Sequence, residues 1–96
     1  MLGEIVQKHE VVLVDFYADW CEPCKWLNPI LEELPSKLER EIFIHKINID
    51  EHVTLAAAHQ IKSVPVLMLF VNGENVWRMN GFLYAKELAA VIRKHL

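Results

Sequence analysis

The chain has 96 residues, 53% of them hydrophobic and 24% charged, with a net charge of -3 at pH 7 and pI ≈ 5.9. That is enough for one domain, near the lower end of what builds its own core, and the composition is globular rather than disordered. The acidic balance supplies no basic footprint for nucleic acid. The longest apolar runs, Val11–Val14 and Val64–Val71, fall well short of the roughly 18 residues that span a bilayer. Met1-Leu2-Gly3-Glu4 lacks the basic-then-apolar opening of a secretory signal, so the default expectation is a cytoplasmic protein with no membrane partner.

In chain order, residues 2–9 read as a short helix with Leu2, Ile5 and Val6 on one side. Val11–Tyr17 is a nearly unbroken β-branched and aromatic run, the pattern of a strand covered on both faces. Cys21 to about Lys37 reads as a helix with Trp26, Leu27, Ile30, Leu31 and Leu34 on its apolar side. Pro29 should kink it and Pro35 end it or kink it again, because each removes a backbone donor and crowds the preceding turn. Ile42–Ile49 follows as a strand and Thr54–Gln60 as an alanine-rich helix. Ser63-Val64-Pro65 leads into the strand Val66–Val71, and Asn72-Gly73 is a tight-turn signal into Asn75–Asn80. Leu83 onward reads as an amphipathic helix with Leu83, Leu88, Val91 and Ile92 inward. The order αβαβαββα implies a parallel first pair, a right-handed crossover and an antiparallel hairpin edge. The fold class is α/β: a central mixed sheet of about four strands with helices on both faces.

The only two cysteines, Cys21 and Cys24, stand three apart where the first strand gives way to a helix. At that spacing two thiols can approach the Cα separation of about 5.5 Å that a disulfide prefers. A helix start also turns unpaired N–H groups and the positive end of the dipole toward the first sulfur, which favours thiolate. A dithiol that can both ionise and close is a redox couple. A purely structural disulfide is the alternative, but a bond closing so short a loop constrains the unfolded chain least. One CxxC also supplies only half of a four-thiolate metal site. Zinc would therefore have to recruit from His9, His45, His52, His59 and His95, and none of them clusters in sequence with a cysteine.

Taken together, the segments resemble the thioredoxin family over essentially the whole chain. The residues that carry this are Val14–Trp20, Cys21-Glu22-Pro23-Cys24-Lys25, Pro29-Ile30-Leu31, Lys46–Asp50, Ser63-Val64-Pro65, Leu69–Glu74 and Gly81. The resemblance implies a thioredoxin-like fold and a general protein disulfide reductase with no bound cofactor. Its electrons would come from NADPH through a flavoprotein thioredoxin reductase, and its substrates would be disulfides in other proteins. It implies Cys21 as nucleophile and Cys24 as the resolving thiol. A specialised thiol oxidant or isomerase, or a module whose CxxC ligates metal or an iron–sulfur cluster, is the alternative.

Asp15 lies inside an apolar strand, where an unpaired carboxylate is costly and should titrate high. The resemblance makes it the proton acceptor for Cys24, with Lys46 as its lysine neighbour; the alternative is a strand-end aspartate in solvent. Pro65, after Val64, resembles the family's cis-proline facing the active site, against a trans proline that merely opens a strand. Trp20, Pro23, Val64, Gly81 and Phe82 would then form an apolar docking surface for substrate, with Trp26 and Trp77 expected as core or partial-core aromatics.

Two departures from the family stand out. Glu22 replaces the usual glycine. At about 7 Å from the Cys21 sulfur, largely in water, it should shift the redox potential by under roughly 10 mV. It should therefore bear on partner choice more than on redox poise. The family also begins with an additional strand, whereas only ten residues precede Val11 here and they look helical. Ile42–Ile49 should then be a hydrophobic sheet edge, open to pairing. Either a homodimer covers it or the missing strand lies upstream of Met1.

Overall fold

The structure is a computed structural model that describes residues 2–96. Helix α1 (Leu2–Lys8) leads into β1 (Val11–Tyr17), then α2 (Glu22–Glu33) and a 3-10 turn (Leu34–Lys37). β2 (Phe43–Asn48), α3 (Val53–Ala58), β3 (Val66–Val71), β4 (Glu74–Asn80) and α4 (Ala85–Lys94) follow. The four strands form one mixed sheet in the order β2-β1-β3-β4. β1 pairs parallel with β2 and antiparallel with β3, and β3 pairs antiparallel with β4.

Side chains alternate across β1, and this divides the core in two. Val11 and Leu13 face Leu27, Ile30, Leu31 and Leu34 of the α2 region and Leu88, Ala89 and Ile92 of α4. Val12, Val14 and Phe16 face Leu2 and Val6 of α1, with Leu55 and Ile61 packed against the same cluster. Helices therefore cover both faces of the sheet, as a strand without polar alternation requires. Phe16, Leu13, Leu27, Leu67, Leu69 and Leu88 are fully buried. Each contributes about 1.5–3 kcal/mol of hydrophobic stabilisation.

Local chemistry sets the ends of these elements. Asn72 (φ 52°) and Gly73 (φ 84°) both adopt left-handed backbone, as a two-residue hairpin turn between β3 and β4 demands. Arg78 donates to the carbonyls of His59 and Gln60 at 2.6 and 3.0 Å, supplying donors where α3 runs out of its own. α2 runs through Pro29 and passes at Leu34 into the 3-10 turn that contains Pro35. Ser36 Oγ donates to the Glu33 carbonyl at 2.7 Å within that turn.

Two packing expectations change. Trp26 is 57% exposed, not core. The inward face of α2 is the row Cys24, Leu27, Ile30 and Leu31, and Trp26 sits about 100° round the helix from Leu27. In α4 the inward row is Ala85, Leu88, Ala89 and Ile92, with Val91 only partly buried; Leu83 precedes the helix and packs, partly buried, against the same cluster.

β2 is a sheet edge. Phe43 is 36% exposed there, stacked on His9 with ring centroids 4.1 Å apart. A broad groove of about 810 Å³ opens beside it, lined by Lys8, His9, Arg40, Glu41, Ile42 and Phe43 among others. Arg40 and Glu10 form an ion pair at its margin.

Candidate active site

The site lies where β1 ends and α2 begins. Cys21 is the N-cap of α2, in extended backbone (φ −92°, ψ 111°), and Pro23 stands in the first turn, where its missing N–H has no partner to lose. The Cys24 N–H donates to Cys21 Sγ at 3.2 Å, so sulfur does the capping that an oxygen usually does. The two cysteines form a disulfide with Cα atoms 5.3 Å apart. Both residues are nearly buried and pack with Ala18, Tyr17, Ile49 and Val64.

The Val64–Pro65 peptide bond is cis. The Val64 carbonyl oxygen lies 3.6 Å from Cys21 Sγ. The Gly81 N–H donates to the Pro65 carbonyl at 2.8 Å, tying the start of the last loop to the same corner. Gly81 has φ 113°, a conformation that side chains resist. Phe82 follows it and meets Trp26 edge-on (centroids 6.4 Å apart) and Tyr84 perpendicularly (5.8 Å). Trp20 is 67% exposed, and its indole N–H donates to Asp50 Oδ2 at 2.9 Å. Glu22 is exposed and paired with Lys25 at 3.1 Å.

Behind the cysteines, alternation along β1 turns Asp15 to the face that α2 covers, with Val11 and Leu13. Its carboxyl is fully buried, and neither oxygen has a hydrogen-bond partner. Burial pushes this carboxyl up from 3.8 to about 6, against the weaker downward pull of the Lys46 charge. Lys46 is the direct cross-strand neighbour of Asp15. Its ammonium nevertheless donates to Asn28 Oδ1 at 2.6 Å and lies 5.0 Å from the Tyr17 ring centroid. A small cavity of about 90 Å³ nearby is lined by Tyr17, Ala18, Asp19, Cys24, Lys25, Asn28 and Lys46.

The structure thus gathers Cys21, Pro23, Cys24, Val64, Pro65 and Gly81 at one end of the sheet. Trp20 and Phe82 lie beside them in chain, and Asp15 and Lys46 lie on the face below. Sequence reasoning missed three supporting groups. Asp50 holds Trp20 and Asn28 holds Lys46, while Tyr84 extends the aromatic surface beyond Phe82. Asn28 left a readable signal: it stands four residues after Cys24, hence on the same side of the helix. Asp50 and Tyr84 are brought in by tertiary contacts and left none.

Among the described residues no group of three or more His, Cys, Asp or Glu side chains converges as a metal site. None of their helices is long and apolar enough to cross a membrane.

A cysteine pair that closes across a helix start, beside a cis-proline, on an α/β sandwich of this topology defines a thiol–disulfide oxidoreductase. The Thioredoxin family model matches residues 2–94. A thioredoxin from Pyropia yezoensis is 38% identical over 93 residues, covering 97% of this chain and 87% of its own. A Staphylococcus aureus thioredoxin is 43% identical over 86 residues, covering 90% and 83%. Among solved structures, a mutant thioredoxin from Halobacterium salinarum superposes with a TM-score of 0.87 at 38% identity, over 97% of this chain and 80% of that one. The chain belongs to the thioredoxin family. It is a protein-disulfide reductase whose chemistry needs no bound cofactor.

Proposed function

We propose that the protein reduces disulfides in other proteins by a two-step exchange in which Cys21 attacks and Cys24 resolves. In the reduced form the Cys21 thiolate attacks one sulfur of a substrate disulfide. A mixed disulfide forms and the substrate's other sulfur leaves as a thiolate. Cys24, once deprotonated, attacks Cys21 Sγ; the intramolecular disulfide closes and the second substrate thiolate departs. The substrate gains two electrons and the protein loses two. The observation that carries this assignment is the Cys24 N–H aimed at Cys21 Sγ at 3.2 Å, a donor that stabilises negative charge on that sulfur.

Asp15 is the proton acceptor for Cys24 in this reading. Its buried, unpartnered carboxyl is pushed up to about 6, toward the range that suits a base working at physiological pH. Lys46 steadies the charge it acquires. Val64 and Pro65 present backbone to an extended substrate, and proline, having no N–H, leaves no competing donor beside the sulfurs. Trp20, Glu22, Pro23, Gly81 and Phe82 form the surface on which the substrate rests. The oxidised protein is returned to the dithiol by a flavoprotein thioredoxin reductase using NADPH, in a reducing cytoplasm. A second copy of the chain covers the open edge of β2, an inference supported by the half-open Phe43 and the free flank of that strand.

The deciding experiment is reduction of insulin driven by NADPH and thioredoxin reductase, comparing wild type with Cys21→Ser. Turnover by wild type alone is expected. Equal rates for the two would end the assignment.

A further inference from the structure

Asp15 and Lys46 face each other across the β1–β2 ladder, yet their charged ends do not meet. The lysine ammonium is occupied elsewhere. Asn28, on α2, accepts from it at 2.6 Å, and the Tyr17 ring lies 5.0 Å beneath it. Hydrogen bonds to charged donors rank among the stronger ones, and the cation–aromatic contact adds to the anchorage. Asn28 and Lys46 both line the small cavity of about 90 Å³ that reaches Cys24.

We propose that Asn28 is a positioning residue whose side-chain carbonyl holds the Lys46 ammonium at the mouth of this cavity, off the Asp15 carboxyl. The lysine then pulls on Asp15 from a fixed distance, without pairing with it. A paired aspartate would hold its charge firmly and accept a proton poorly. An unpaired one remains a usable base. The other charged groups facing this space are Asp19 and Lys25, both exposed; β3 brings only Leu67 opposite Asp15. None of these replaces the anchor that Asn28 provides. The consequence for turnover rests on the reading of Asp15 as proton acceptor, but the positioning itself is measurable without turnover.

The test follows the Asp15 carboxyl by carbon-13 NMR through a pH titration of the oxidised protein, in wild type, Asn28→Ala and Asn28→Asp. Alanine suits the helix interior, so the first variant should fold. With the acceptor gone, Lys46 swings toward the ionised Asp15, and the carboxyl titrates lower by about half a unit to one unit. Asn28→Asp keeps the anchor and adds negative charge at the rim, so its Asp15 titrates no lower than wild type. The drop in Asn28→Ala should vanish in a Lys46→Met background, because the effect runs through the lysine. An unchanged or raised titration in Asn28→Ala, an equal drop in Asn28→Asp, or a drop that survives Lys46→Met would each overturn the proposal. If the titrations behave as expected while Asp15→Asn leaves mixed-disulfide resolution unaffected, the positioning stands and the proton-acceptor role falls.

Discussion

Replacing Asp15 by asparagine should spare the protein a loss of stability that wild type undergoes as pH rises, with a size that follows from burial. The carboxyl is fully enclosed without a hydrogen-bond partner, and its folded-state titration is pushed from 3.8 to about 6. A folded value above the unfolded one means that the native state holds the proton more tightly. The favourable contribution of Asp15 is therefore complete below about 3.8 and is lost as pH climbs through 6. Fully developed, the loss is about 3 kcal/mol; between about pH 4 and pH 7 it is about 2 kcal/mol. Asparagine does not titrate, so any penalty for its unpartnered amide is a constant offset. Urea unfolding of both oxidised proteins at several pH values should show wild type losing about 2 kcal/mol relative to Asp15→Asn over that interval. A difference between the two that stays flat from pH 4 to 7 would refute the assignment of a buried, high-titrating carboxyl.

The same substitution should slow closure of the mixed disulfide more than its formation, which stopped-flow tryptophan fluorescence can separate. Glu22→Gly should move the redox potential by under about 10 mV, because Glu22 is exposed and already paired with Lys25; equilibration against glutathione checks this. Trp26→Ala and Tyr84→Ala leave the cysteines untouched but remove flanking aromatic surface. Each should raise KM for protein disulfides several-fold, corresponding to about 1 kcal/mol, with little change for a small disulfide such as oxidised glutathione. Phe43→Lys should render any dimer monomeric in light scattering by placing charge on the open edge.

Much of this molecule was legible before any coordinates. An unbroken run such as Val11–Tyr17 can satisfy its side chains only between two covered faces, so the layered α/β arrangement follows from pattern alone. The Asn72-Gly73 turn and the switch from strand to helix at Cys21 are similarly local, because they depend on backbone preferences of the residues themselves. Trp26 was misplaced because a tryptophan next to an inward row counts as apolar in a periodic pattern whichever way it faces. Only the angle of α2 on the sheet, and the presence of Phe82 to receive the ring edge, put it outside.

The sequence by itself therefore determined the element order, the two-sided core and the pairing of Cys21 with Cys24. All three depend on neighbours in the chain or on the period of burial. Tertiary structure alone decided which charges meet. Asp15 and Lys46 are side by side in register, yet the lysine binds Asn28 from another element, and Trp20 is held by Asp50 thirty positions away. Electrostatic partnership depends on distances of a few ångströms between groups far apart in sequence, and no pattern along the chain encodes those distances.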